Sequence, residues 1–172
     1  MTALGVHDPD SSGGAQWELA TLRNLRGFKN AVANGSKQFG IVDKGEFNAD
    51  KVYKDRKFCN VLFTREMQRW LNESGSNIKV FDITTTKLLK VGESTHWGGG
   101  AIEWMALGEK MGEKGGLYCS SAPGSSKYGD DAYGKQFGVS EVSKEALASD
   151  DGKAKRFWEL SEKLVGIWVN RR

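Results

Sequence analysis

Tyr53 and Lys57 lie four residues apart in the stretch VYKDRKFCNVLFTREMQRWL, residues 52–71. On a helix that spacing puts both side chains on one face, one turn apart. A lysine ammonium beside a phenol favours the phenolate. A phenol tuned in this way can donate a proton to carbon or oxygen during a hydride-transfer reaction. The same spacing suits a solvated helix face, on which Lys54, Asp55, Arg56 and Lys57 are ordinary surface charges. On spacing alone the solvated face is the expected reading.

The pair needs a helix to hold it, and a helical period runs from Ala49 to Ser74. Val52, Cys59, Leu62, Phe63, Met67, Trp70 and Leu71 recur at spacings of three and four, Asn48 or Asp50 can cap the start, and Gly75 stands where it should stop. Before it, residues 1–48 read as irregular, broken by Pro9, Ser11-Ser12-Gly13-Gly14 and scattered glycines, with a short helical stretch allowed over Gln16 to Phe28. After it, residues 77–120 read as strand, helix, strand: NIKVFDI (77–83), a weaker helix from Thr95 to Lys110 despite Gly98-Gly99-Gly100, and GLYCS (116–120). Residues 121–149 read as a loop region carrying Pro123. A final helix over 150–168 is capped by Ser149 or Asp150, with Phe157, Trp158, Leu164, Val165 and Trp168 as its apolar stripe. Two short strands between helices make part of an α/β sheet and leave backbone edges that need covering.

The bulk numbers exclude several classes. The chain has 172 residues, 38% of them hydrophobic and 10% aromatic, which is one globular domain's worth. Mean hydropathy of −0.52 argues for a soluble protein, and no apolar run approaches a membrane span. A net charge of +3, with the signs mixed and only Arg171-Arg172 as a basic end, speaks against nucleic acid. The two cysteines, Cys59 and Cys119, and the two histidines, His7 and His96, have no metal-ligand spacing. Reduced thiols in a cytosol-like or stromal compartment are expected. A lone histidine is more often a polar surface residue than a ligand, so His7 and His96 are assigned no role and no metal is expected.

The residues around the pair carry more than its spacing does. YKDRKFCN followed by an amphipathic helix and the strand NIKV resembles the active-site helix of short-chain dehydrogenases, and more narrowly that of the light-dependent protochlorophyllide reductases. VHDPDSSGG, GEFNADKVYKD, LLKVGES with WGGG, GGLYCSSAPGSSKYGDDAYGKQF, SEVSKEA and KAKRFWELSEKLVGI extend the resemblance, in collinear order, over most of the chain. It implies a partial Rossmann-like α/β fold and a chloroplast setting, in the stroma or at a stromal membrane surface. It implies Tyr53 as proton donor and Lys57 as the residue that tunes it and holds the nicotinamide ribose. Cys59 would lie near the pigment; as a helix residue it is equally at home in the core.

The departures from the family pattern matter as much. No strand and glycine-rich turn for the NADPH pyrophosphate is seen, and the nearest candidate, Gly108-x-x-x-Gly112, continues to Lys114 where a third glycine is expected. The N-terminal βαβ units are missing, and Leu4 stands where the family has a serine or threonine, with Thr2 nearby. Val80 passes straight to Phe81-Asp82-Ile83, without a Pro-Gly turn and substrate loop. The expectation is therefore a degenerate reductase half with no cofactor of its own, non-catalytic as written. It would serve as a binding or scaffolding subunit of a larger plastid assembly, with protein partners and room for a chlorophyll-type pigment; Trp17, Trp97, Trp104 and Trp168 would suit an interface. The alternative is an NADPH-dependent, light-driven protochlorophyllide reductase of which this sequence is an incomplete record.

Overall fold

A computed structural model describes residues 5–9, 14–34, 47–83, 87–88, 91–92, 95–109, 111–113, 115–121, 137–140 and 152–166. The described residues include four helices: α1 (Arg26–Ala33), α2 (Ala49–Glu73), α3 (Thr95–Leu107) and α4 (Lys153–Val165). The strands are β1 (Phe81–Ile83), β2 (Lys87–Leu88), β3 (Val91–Gly92), β4 (Leu117–Ser121) and β5 (Phe137–Ser140). A 3-10 turn, Gly5–His7, precedes them.

Helix α2 starts and stops as its sequence dictates. The Asn48 side chain accepts the backbone N–H of Lys51 at 2.9 Å, and Asp50 sits in the first turn, where a negative charge complements the helix dipole. Its end is closed by backbone bonds from Ser74 to Trp70 and from Ser76 to Leu71, with Gly75 at φ 72°. Its inner face gives the core Phe58 and Leu62, both fully buried, with Val61 and Cys59 beside them. Each of the larger side chains contributes about 1.5–3 kcal/mol by leaving water.

Two helices close that face. On α4, Phe157 meets Phe28 of α1 edge-on at 5.1 Å, and Trp158 stacks on Phe63 of α2 at 4.6 Å. The sheet has the order β1-β4-β5. β1 runs parallel to β4, with Asp82 opposite Tyr118, and β5 runs antiparallel to β4. β2 and β3 form a separate two-stranded antiparallel ribbon.

Several expectations need correction. The region 121–149 is not all loop, because Phe137–Ser140 pairs with β4; its four residues are too few to show a period. Residues 1–48 contain a true helix, and it lies at Arg26–Ala33 rather than Gln16–Phe28. Leu25, at φ 63°, takes the left-handed turn that opens it. The last helix begins at Lys153 behind Gly152, at φ 84°, and Gly166 caps its end; neither Ser149 nor Asp150 is the cap. Trp168 and the side chain of Trp97 lie outside the described residues, as do Thr2, Leu4 and Lys114. No described helix is long and apolar enough to cross a membrane.

Candidate functional site

Tyr53 and Lys57 share one face of α2, as their spacing requires. The Lys57 ammonium lies 5.5 Å from the centre of the Tyr53 ring, and the Arg56 guanidinium carbon 5.4 Å from it. Tyr53 is half-buried, whereas only 8% of Lys57 is exposed. Burial is the main cause holding the Lys57 ammonium below its ordinary proton affinity; Arg56 adds to that and Asp82 opposes it. The arrangement is a phenol bracketed by two cations, one of them drawn out of water. Such a site can stabilise negative charge as it develops on a phenol oxygen.

The face beside the pair is not the solvated surface that spacing allowed. Lys54 and Asp55 are each 1% exposed. The Lys54 ammonium donates to the carbonyls of Gln16 and of Glu18 (2.9 Å), lies 3.5 Å from that of Gly14, and pairs with Asp50 at 3.0 Å. Asp55 accepts the Thr21 backbone N–H at 3.0 Å and the Lys51 ammonium at 2.6 Å. Together they tie residues 14–21 to the head of α2. A lysine encircled by carbonyls cannot be told from a surface lysine by helical period, because its partners lie 36–40 residues away in sequence.

Farther along, Gln68 ties the helix to the strand region: its amide oxygen accepts the Val80 N–H at 2.7 Å, and its amide nitrogen donates to Ile78 at 3.2 Å. The Gly115 backbone passes so close that an added Cβ would meet the Gln68 side chain at 1.9 Å.

Cys59 lies in the hydrophobic core, 8% exposed, with its thiol's proton affinity pushed well up by burial. Cys119 is also buried, its thiol pushed up to about 11, mainly by burial. His7 departs from the surface expectation: it is 1% exposed and meets the Tyr118 ring edge-on at 4.9 Å. His96 is exposed on α3. Trp17 is 82% exposed, while Trp104 is half-buried.

Asp82 was not singled out by sequence. It is 1% exposed on β1, and neither carboxyl oxygen has a hydrogen-bond partner of normal geometry among the described residues. Burial pushes its carboxyl up to about 6; Thr64 and Lys57 pull the other way. The one signal in the sequence was an acid in an otherwise apolar strand, Val80-Phe81-Asp82-Ile83.

The fit to a nicotinamide cofactor divides. Tyr53 and Lys57 offer a phenol and an ammonium of the kind a ribose would meet. Gly108 does not offer a pyrophosphate cradle. Its N–H closes the end of α3 on Trp104 at 2.8 Å, and a Cβ there would strike the Trp104 carbonyl. Among the described residues, no group of three His, Cys, Asp or Glu side chains could hold a metal ion.

No family model matches the chain. It is similar to protochlorophyllide reductase B, chloroplastic, of Oryza sativa subsp. japonica, with 30% identity over 86% of this chain and 39% of that protein. The chloroplastic protochlorophyllide reductase of Cucumis sativus is 31% identical over the same shares, and protochlorophyllide reductase A of Arabidopsis thaliana 28%. The chain thus spans about two fifths of the length of these curated relatives. Its fold is similar to that of an uncharacterized protein from Mycobacterium Paratuberculosis, with a TM-score of 0.57 at 19% identity, covering 96% of this chain and 48% of that one. The fold is a partial Rossmann-like α/β arrangement, as the resemblance implied.

Proposed function

We propose that the chain is the proton-donating part of a protochlorophyllide reductase-like protein acting in chlorophyll biosynthesis in a plastid. The observation that carries this is the Tyr53–Lys57 pair, with the ammonium 5.5 Å from the ring centre, inside a sequence collinear with reductases of that name. Tyr53 supplies a proton from its phenol oxygen. Lys57 and Arg56 stabilise the charge left behind. Lys54 and Asp55 keep the helix head and residues 14–21 in one arrangement, which is what positioning a proton donor requires. NADPH, when bound in the whole protein, supplies the hydride. The described residues fit its ribose end and not its pyrophosphate, so the rest of the cofactor is held by protein outside them.

A second reading favours a binding or scaffolding subunit of a larger plastid assembly, without turnover of its own. The specific observation behind it is Cys59, which packs in the hydrophobic core. Light-driven, NADPH-dependent loss of protochlorophyllide absorbance, measured on the longest transcript-encoded protein that contains this chain, separates the two. Under the first reading, Tyr53→Phe slows the reaction by about 100-fold or more. A wild-type protein without turnover, or a Tyr53→Phe variant as fast as wild type, sinks that reading.

A further inference from the structure

Helix α3 shows an apolar face to solvent. Apart from Thr95, His96 and Glu103, its 13 residues are glycine or apolar. A helix of that composition is ordinarily enclosed by protein. Here Ala101 faces inward at 1% exposed, with Trp104 and Met105 half-buried beside it. His96, Gly99, Ile102, Glu103, Ala106 and Leu107 are exposed, Ile102 at 58% and Leu107 at 75%. At about 100° per residue these exposed positions fall in one arc of about 140°, with Gly99 close to its middle. A Cβ added at Gly99 would meet nothing within 4 Å, so the surrounding chain does not require a glycine there. Glycine inside a helix costs stability relative to alanine, and what it permits is the close approach of another backbone.

We propose that this face of α3 docks on the same face of a second copy of the chain, with the two helices antiparallel and crossing at Gly99. Complementarity between His96 and Glu103 selects that occupant. In a twofold antiparallel pair, residues equally far on either side of the crossing, on one flank of the arc, stand level with each other. With the crossing between Gly99 and Gly100, His96 of each copy is level with Glu103 of the other, and the two lie within about 20° on the same flank. An imidazole N–H thus meets a carboxylate twice. A parallel pair would instead set Glu103 against its own copy, like charge on like. Gly99 lets the two axes come close, and Ile102 leaves water on the opposite flank. At 13 residues α3 is about 20 Å long, so one crossing buries less than the roughly 800 Å² per partner of a standard interface. The association is therefore weak and depends on concentration. The surface shares no residue with the Tyr53–Lys57 pair.

Sedimentation of the longest transcript-encoded protein that contains this chain, across a wide concentration range, tests this. Wild type should pass reversibly from monomer to dimer as concentration rises. Gly99→Leu, placed where an added Cβ meets nothing of its own chain, should raise the dissociation constant about tenfold or more. Glu103→Lys sets a cation against His96 and should raise it about fivefold or more. Combining it with His96→Glu rebuilds the pair in reverse and should return the constant to within about threefold of wild type, a rescue that a general loss of folding would not give. A wild type that stays monomeric, a Gly99→Leu variant that dimerises as wild type does, or a charge swap without rescue overturns the proposal. Should that monomeric wild type bind vesicles of uncharged lipid, the face belongs to a membrane and the proposal falls as well. No turnover is measured, so failure here is separate from failure of the reductase reading, which the light-driven assay decides.

Discussion

Replacing Asp82 with asparagine should stabilise the protein at neutral pH. The carboxyl is raised from 3.8 to about 6 in the folded chain, first by burial. At 1.36 kcal/mol per pH unit, that displacement corresponds to about 3 kcal/mol. The sign follows from proton binding. Between pH 3.8 and 6 the folded state holds a proton that the unfolded state has released, so stability is full below 3.8 and falls as the pH rises through 6. Above that, wild type carries the whole cost of a buried carboxylate, and an amide of the same shape does not. Urea unfolding of both proteins from pH 3.5 to 8 measures this, and subtracting the curves cancels the other carboxylates. The stability of Asp82→Asn relative to wild type should increase by about 3 kcal/mol between pH 4 and pH 7, or about 1–3 M in urea midpoint. A difference that stays flat across that range would refute the burial argument.

Other substitutions probe the remaining supports. Lys54→Met strands Asp50 and removes the donor to Gln16 and Glu18; a loss of about 3 kcal/mol in chemical unfolding is expected, with faster proteolysis near residues 14–21. Unchanged protease sensitivity would show that this segment is held by something else. Gly115→Ala drives a methyl into Gln68 and should cost about 1–3 kcal/mol, relieved in part by a second change, Gln68→Ala, measured as a double-mutant cycle. Both thiols are buried and hard to ionise, so a disulfide reagent at pH 8 should label Cys59 and Cys119 only after denaturant is added; rapid labelling of native protein would contradict their placement.

Local sequence determined α2 almost to the residue. Asn48 supplies the capping oxygen, Phe58, Val61 and Leu62 supply the inner stripe, and Gly75 supplies the left-handed turn that ends it. The Tyr53–Lys57 juxtaposition follows from helix geometry alone, because four residues make about one turn. Resemblance along the chain supplied the fold class, and β1 and β4 form where apolar runs stand in the sequence.

Other features were decided by contacts between distant residues. β5 has no pattern of its own and exists because β4 offers it an edge. Lys54 and Asp55 look like surface charges until residues 14–21 fold over them and supply carbonyls and an N–H. Cys59 joins Phe28 of α1 and Phe157 of α4 in the hydrophobic core, a placement that helical period alone leaves open. Asp82 is one acid in a short strand, and only the packing of β1 against α2 and β4 strips it of water. Helical spacing brings the phenol and the ammonium together; desolvation, which depends on what the rest of the chain excludes from the site, decides whether that ammonium keeps its charge.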